Sequence, residues 1–552
     1  MLRKFILPLL VVLLFCEPVQ AIQYAYQVNF TNKNGTLALS DSLSFLSSRS
    51  LARRDRQGIP LDSTDLPVTR AYVDSVLTLT GGKFHEASKW FNFCVVLLSD
   101  STTIHALDGK SFISSYKLVA YYTGSLHRDQ PNAVTGKPQA GRTTSGDAAY
   151  YDATWTQTLM VNGNYVHDLG YKGAGKIIAV LDAGFIGVDT HRGFDSLRAS
   201  GRLVDEHNFT YDTSYVYGYD IHGMQVLSTM AGYVPDTFVG TAPLASYALY
   251  ITEDDPTEQP IELLNMVCGS ERADSIGADI ITTSLGYNTF DNSSYDFNYS
   301  ADFDGKTTIA AKGANMATKK GMLFVATAGN EGGSGWNHIL TPGDADSALT
   351  IGSVDNAGNN AVTSGYGPNA AGQIKPDVCD MGHYASVFST TDYEAQDGTS
   401  FSTPQIAGWA ACLWESKPDI TPAQLRLAII ICANHYTTPG TQIGYGVPDF
   451  ECTANALNVI DTPTPASYDN WITVAPNPIV NILYLTLFMP SQQVVNCRLF
   501  DVTGREVLSY SAQFKKGWNQ PVAIDLYALP PGMYFLKAVT PFGQKVIKID
   551  KL

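Results

Sequence analysis

Short apolar runs that end in polar residues mark the middle of the chain. Residues 176–184 read Lys-Ile-Ile-Ala-Val-Leu-Asp-Ala-Gly, a pattern that predicts a buried strand of a parallel sheet with Asp182 at its carboxyl end. Two further strand-like runs lead into Ser284 and into Gly329-Asn330. Because open α/β sheets form their sites at the carboxyl ends of the strands, these polar residues are candidates for a functional site.

Two more candidates stand at the start of predicted helices. Residues 397–407 read Asp-Gly-Thr-Ser-Phe-Ser-Thr-Pro-Gln-Ile-Ala, which places Ser400 between a small turn and a helical run. A helix start offers free N–H groups and the positive end of the dipole, a setting that suits a nucleophile. His222 opens an amphipathic helix that Gly232 ends. A reactive serine needs a base and an orienting acid, which His222 and Asp182 could supply. Taken singly, Asp182 and Ser400 also suit helix caps, and His222 suits a half-buried structural histidine.

These motifs resemble those of the subtilisin-like serine peptidases, or subtilases. That family carries its aspartate, histidine and serine in this order, and the matching segments are Val180–Gly184, His222-Gly223 and Gly398–Pro404. Three positions depart from the residues that are usual in the family: Ala183, Met224 and Phe401. The resemblance covers residues 150–460 and implies an α/β catalytic domain with a subtilisin-like parallel sheet flanked by helices.

The resemblance also implies a secreted serine endopeptidase that hydrolyses protein or peptide substrates through an acyl-enzyme. Ser400 would attack the scissile carbonyl, His222 would transfer the proton, and Asp182 would orient the imidazole. Asn330 would stabilise the oxyanion together with the Ser400 N–H, and the substrate backbone would pair with Ser284, Leu285 and Gly286. The alternatives are a catalytically inactive subtilase fold used for surface binding and a carboxyl-dependent serine peptidase, which would need a glutamate in place of His222.

Composition narrows the class of partner. A net charge of −16 argues against nucleic acid as a partner, because phosphates would be repelled. The spacing of the cysteines gives no zinc motif, and we expect no metal in the active site and no required cofactor. The family resemblance allows structural calcium, to which acidic residues such as Glu253–Asp255 could contribute. We expect a monomer, and Cys432 and Cys452 are close enough in sequence to pair.

The N-terminal part of the chain predicts two segments ahead of the catalytic domain. Residues 1–21 have a basic start, an apolar run from Phe5 to Phe15 and a small-residue end, as in a secretory signal peptide. Residues 22–145 combine a predicted helix with strand-like runs and resemble the small α/β inhibitory propeptide of secreted subtilases. The alternative is an ordinary binding domain. The Gly-rich stretch 125–149 is the predicted site of self-cleavage.

The C-terminal part predicts a linker and a small β-sandwich. Residues 461–470 contain a Thr-Pro linker, and residues 471–552 hold short strand-like runs separated by turn signals. Segments such as Pro476-Asn-Pro478 and Asp501–Arg505 resemble the C-terminal sorting domain of the type IX secretion system of Bacteroidetes. The resemblance implies that the type IX machinery exports the protein across the outer membrane, to the cell surface or the medium. The alternative is a carbohydrate- or cell-binding β-domain.

Overall fold

The computed structural model describes residues 23–122, residues 147–461 and, with short gaps, residues 472–552. We refer to these as the N-terminal, central and C-terminal units. The predicted signal peptide, most of the stretch predicted for self-cleavage and nearly all of the Thr-Pro linker lie outside the described residues. Among the described residues, no helix combines the length and the apolar composition needed to cross a bilayer.

The N-terminal unit is an antiparallel sheet with a helical layer. Its strands are β1 (Gln23–Phe30), β2 (Lys83–Ser88), β3 (Phe93–Leu98) and β4 (Ile113–Tyr122), in the order β2-β3-β1-β4, and its helices are α1 (Ser48–Gln57) and α2 (Arg70–Thr80). Alternate residues of β3 face opposite sides. Cys94 and Val96 pack with Val73 and Val76 of α2, whereas Phe93 and Val95 belong to a core shared with the central unit.

The central unit is built on seven parallel strands. They are β5 (Ile177–Asp182), β6 (Leu203–Asn208), β9 (Ser246–Ile251), β10 (Ile280–Thr283), β11 (Leu323–Thr327), β12 (Leu349–Val354) and β13 (Val378–Met381), in the order β13-β12-β11-β10-β5-β9-β6. Two short pairs complete the strands: β7 (Tyr233–Val234) with β8 (Phe238–Val239), and β14 (Ala385–Phe388) with β15 (Tyr393–Gln396).

Helices cover both faces of this sheet. They are α3 (Asp147–Tyr151), α4 (Trp155–Met160), α5 (Gly163–Asp168), α6 (Asp195–Ala199), α7 (His222–Ala231), α8 (Ile261–Ile276), α9 (Tyr299–Asp302), α10 (Ile309–Lys319), α11 (Thr399–Ser416), α12 (Pro422–Ile431) and α13 (Phe450–Asp461). Ile178 and Val180 of β5 pack in the core that α7 and α11 cover. Ala179 and Leu181 pack in the core that α8 and α10 cover. Burial on both faces explains why these strands are apolar throughout.

The C-terminal unit is a two-sheet β-sandwich, as predicted. Its strands are β16 (Ile472–Ala475), β17 (Ile482–Met489), β18 (Gln493–Asp501), β19 (Glu506–Phe514), β20 (Gly517–Trp518), β21 (Val522–Asp525), β22 (Gly532–Thr540) and β23 (Gly543–Lys551). One sheet contains β16, β17, β20 and β21, and the other has the order β19-β18-β22-β23. Leu483, Leu485 and Leu487 alternate along β17 into a core that both sheets share. Cys432 and Cys452, in the central unit, form a disulfide.

Candidate active site

The candidate residues meet at the carboxyl edge of the parallel sheet. Strand β5 ends at Asp182, β10 is followed by Ser284, and β11 is followed by the loop that carries Asn330. Strand β10 pairs in parallel with both β5 and β11, so that these three strand ends are neighbours. Helices α7 and α11 begin beside them with His222 and with Thr399-Ser400.

Asp182 and His222 form a direct pair. The Nδ1 atom of His222 lies 2.8 Å from Oδ1 of Asp182, whose side chain is fully buried. The same oxygen accepts the N–H of Ala183 at 2.8 Å. A histidine that donates through Nδ1 presents Nε2 as an acceptor, which is the protonation state that a general base requires.

Two glycines allow this pair to form. A Cβ atom on Gly184 would lie 2.3 Å from the Asp220 nitrogen, and one on Gly223 would lie 2.3 Å from the Gly184 oxygen and 2.9 Å from Asp182 Cβ. Any side chain at either position would push the aspartate loop and the start of α7 apart. Close backbone packing therefore requires Gly184 of the aspartate motif and Gly223 of the histidine motif.

Negative charge surrounds the His222 imidazole. Burial lowers the pKa of His222, but the Asp182 carboxylate, assisted by Asp220 and Glu253, outweighs that effect and raises the pKa to about 9. Asp220 accepts the backbone N–H of His222 at 2.6 Å. Glu253 accepts the hydroxyl of Tyr287 at 3.2 Å, and burial followed by repulsion from Asp182 raises its pKa to about 7. Sequence reasoning gave neither Asp220 nor Glu253 a role at His222.

Ser400 lies in the first turn of α11 and is 5% exposed. Its hydroxyl faces the carbonyl of Ser284 at 3.5 Å, and the hydroxyl of Ser284 donates to the Ser400 carbonyl at 2.8 Å. The next residue, Phe401, places its ring centroid 6.0 Å from that of His222. The structure thus brings Ser400 to the same edge as the Asp182–His222 pair, with its hydroxyl turned towards Ser284.

The side chain of Asn330 is held in one orientation by α11. Its Oδ1 accepts both the backbone N–H and the hydroxyl of Thr399, each at 2.9 Å. Because the N–H can only donate, these contacts identify the oxygen and leave the amide Nδ2 to donate elsewhere. Thr399 Oγ1 in turn accepts the hydroxyl of Thr327 at 2.6 Å, and Thr327 Oγ1 accepts the N–H of Gly329 at 3.1 Å.

The predicted substrate-binding segment follows β10. Ser284 and Leu285 are 7% and 6% exposed, and a Cβ atom on Gly286 would lie 2.8 Å from Leu340 Cβ. Ser284 lies directly beside Ser400, to whose carbonyl its hydroxyl donates. Its pairing with a substrate backbone stays a prediction. Within the described parts of the chain, no three His, Cys, Asp or Glu side chains are grouped so as to hold a metal ion.

Comparison with known proteins identifies all three units. Residues 173–447 match the subtilase family, residues 25–135 match the peptidase S8 propeptide domain of Bacteroidota, and residues 473–549 match the secretion system C-terminal sorting domain. A sorting domain of this kind indicates an extracellular or cell-surface destination. Membership of a peptidase family implies protein or peptide substrates. The sorting domain implies the secretion machinery as a partner.

Individual relatives agree with these matches. Subtilisin DY of Bacillus licheniformis is 28% identical over 291 residues, which is 52% of this chain and 90% of the relative. Subtilisin E of Bacillus subtilis (strain 168) is 29% identical over 267 residues, 47% of this chain and 61% of the relative. Among solved structures, the epidermin leader peptide processing serine protease of Staphylococcus aureus has a similar fold. Its TM-score is 0.53 at 16% identity, covering 81% of this chain and 100% of that one.

The order of the motifs, the seven-stranded parallel sheet and the family matches all agree. The chain belongs to the subtilases, the subtilisin-like serine peptidases, with a Bacteroidota propeptide domain before the peptidase domain and a C-terminal sorting domain after it.

Proposed function

We propose that the chain is a secreted serine endopeptidase in which Asp182, His222 and Ser400 form the catalytic triad. The observation that carries the proposal is the 2.8 Å contact between Asp182 and the imidazole of His222, at the strand edge where α11 presents Ser400. A buried carboxylate at Nδ1 fixes the ring and its tautomer, and it stabilises the imidazolium that forms during the reaction.

Catalysis begins when the Ser400 hydroxyl turns from the Ser284 carbonyl towards Nε2 of His222. Nε2 accepts the proton while Oγ forms a bond to the scissile carbonyl carbon. The carbonyl oxygen becomes an oxyanion, which accepts hydrogen bonds from the Asn330 side-chain amide and from the Ser400 backbone N–H. His222 then gives its proton to the leaving amine, and the C–N bond breaks to leave the acyl-enzyme. A water molecule then attacks the acyl carbon while His222 takes its proton. The bond to Ser400 Oγ breaks, His222 returns the proton to Oγ, and the carboxylic acid product is released.

The substrate would bind at the same carboxyl edge of the parallel sheet. Ser284, Leu285 and Gly286 follow β10 beside Ser400, where a peptide strand would find backbone partners. Binding through the main chain accepts many sequences, and it holds the scissile carbonyl against the oxyanion donors. No cofactor takes part in the chemistry proposed here.

We further propose the path by which the enzyme reaches its place of action. Residues 1–21 direct it across the inner membrane, residues 22–145 act as the inhibitory propeptide, and residues 150–460 form the catalytic domain. Residues 471–552, which follow a linker at residues 461–470, engage the type IX machinery. Cleavage within the segment 125–149 by the enzyme itself separates propeptide from enzyme.

Labelling with a fluorophosphonate probe tests the proposed triad. The wild type should be labelled, and the Ser400→Ala variant should not. Ser402→Ala is the matched control, because Ser402 is a fully buried serine on the same helix whose hydroxyl donates to the Thr399 carbonyl. Labelling and peptide hydrolysis by purified Ser400→Ala would refute the assignment. No labelling of the folded wild type would support an inactive fold used for surface binding.

A further inference from the structure

Helix α1 of the N-terminal unit is docked on the edge of the sheet opposite to the candidate active site. Arg49 donates to the carbonyls of Gly277 and Gly175 at 2.9 and 2.7 Å. Arg53 donates to the carbonyls of Ala278 and Lys320. These acceptors lie just before β10, β5 and β11, at the amino ends of the strands. A six-residue strand places the two edges about 20 Å apart.

A buried network of charges forms the centre of this contact. Asp274 on α8 accepts Arg53 Nη2 at 2.5 Å and Arg54 Nη2 at 2.6 Å. Arg54 also pairs with Asp65 at 2.7 Å, and Asp65 pairs with Lys320 at 2.9 Å. None of these five side chains is more than 2% exposed. We call these five residues, together with Arg49, the arginine clasp.

The same face of α8 holds a second segment of the N-terminal unit. Glu271, one turn before Asp274, accepts the backbone N–H groups of Lys89 and Trp90 at 2.7 and 3.0 Å, and also the hydroxyl of Ser88. Residues spaced by three lie on one side of a helix. Helix α8 therefore fixes the β2–β3 turn through Glu271 and fixes α1 through Asp274.

The clasp is the charged part of this interface, beside the apolar core that Phe93 and Val95 share with the central unit. While it is closed, each charge is satisfied by a partner, and removal of one partner leaves another charge buried and unpaired. Once the two sides have separated, water solvates the arginines and the carboxylates alike. These charged contacts therefore add specificity to the apolar part of the interface.

We propose that the arginine clasp is a second docking surface, which keeps the N-terminal unit on the central unit after the chain between them has been cut. The clasp contains no residue of the segment 123–146, so that cleavage there breaks none of its contacts. Release of the inhibitory unit then requires rupture of the clasp at the far edge of the sheet. The inhibitory meaning of this step rests on the proposed function, whereas the retention itself does not.

Retention can be measured without activity. A recognition site for an external protease is inserted between residues 123 and 146 of the full-length Ser400→Ala chain, the chain is cut there, and release of the N-terminal unit is followed by gel filtration. The wild-type clasp should keep the two fragments together. Arg54→Met keeps the side-chain stem but leaves Asp65 and Asp274 short of a partner, and it should speed release by about 100-fold.

Two further variants complete the test. Arg56→Met is the matched control, because Arg56 lies on α1 but is exposed, and release should be unchanged. Arg53→Lys keeps the charge and loses the planar fork, so that it should fold even if Arg54→Met does not, and it should release about 10-fold faster than the wild type. Immediate release from the wild type, or release from Arg53→Lys and Arg54→Met as slow as from the wild type, would overturn the proposal.

Discussion

Replacing Thr327 by valine should lower kcat about 5-fold and leave KM unchanged. The Thr327 hydroxyl is buried at 2% exposure, donates to Thr399 Oγ1 at 2.6 Å and accepts the Gly329 N–H at 3.1 Å. Thr399 Oγ1 then donates to Asn330 Oδ1. Valine has the shape of threonine, so the substitution removes the first donor of this chain and leaves the packing in place. The Asn330 amide would then be held less firmly towards the oxyanion.

The magnitude follows from two limits. Loss of a whole oxyanion donor lowers kcat by about 10²–10³, and Thr327→Val must do less because Thr399 still bonds Asn330. A single hydrogen bond contributes about 1 kcal/mol net, and 1.4 kcal/mol corresponds to tenfold in rate, which gives a factor of about 5. The effect falls on kcat because the oxyanion exists only in the transition state.

The assay compares kcat, KM and the unfolding temperature of the wild type, Thr327→Val and Thr327→Ser on one peptide substrate. Serine keeps the hydroxyl and should restore kcat to within about twofold. Two results would refute the reasoning. One is a rise in KM at constant kcat. The other is a serine variant as slow as the valine variant while both are as stable as the wild type.

Three other predictions test separate parts of the proposal. Asn330→Ala should lose about 10²–10³ in kcat with little change in KM; a change in KM alone would place Asn330 in substrate binding. The imidazole of His222 must be neutral to accept a proton, so kcat/KM should rise with pH through its pKa, raised to about 9. Glu253→Gln removes a negative charge that favours the imidazolium, and it should move this rise of kcat/KM to lower pH. A rise at the same pH as in the wild type would contradict that role. Deleting residues 471–552 should keep kcat/KM on a peptide within a few-fold while trapping the protein in the periplasm; cell fractionation that finds it outside would make the unit a binding module.

The sequence was sufficient to predict the parts that depend on local periodicity. The apolar run before Asp182 is strand β5, and the helix that begins at His222 ends before Gly232 as expected, although residues 223–231 are buried on all sides rather than amphipathic. Buried parallel strands are recognisable because both faces must be apolar, and helix ends because their glycines adopt special conformations or end the pattern. Family resemblance then placed the strand ends next to one another, which periodicity alone does not do.

Residues whose role depends on distant partners could not be found in this way. Thr327 reads as an ordinary β-branched strand residue, and only the approach of α11 makes its hydroxyl part of the site. Glu253 belongs to an acidic segment for which the sequence suggested only a contribution to structural calcium. In the sequence, Arg53 and Arg54 resemble an exposed basic pair. In the structure both are buried and pair with Asp274, more than 200 positions away. In each case the contact is made across the fold, and nothing in the local pattern records it.

The two edges of the parallel sheet make different kinds of contact. At the carboxyl edge, free N–H groups and strand ends converge, and in the proposed mechanism a small shift of Asn330 or His222 would change transition-state binding. At the amino edge, free backbone carbonyls converge, and these suit arginines, which donate several hydrogen bonds in a fixed geometry. Because the edges are about 20 Å apart, energetic effects at one should add to those at the other. The N-terminal unit can therefore be held tightly at one edge without altering the geometry that the proposed chemistry needs at the other.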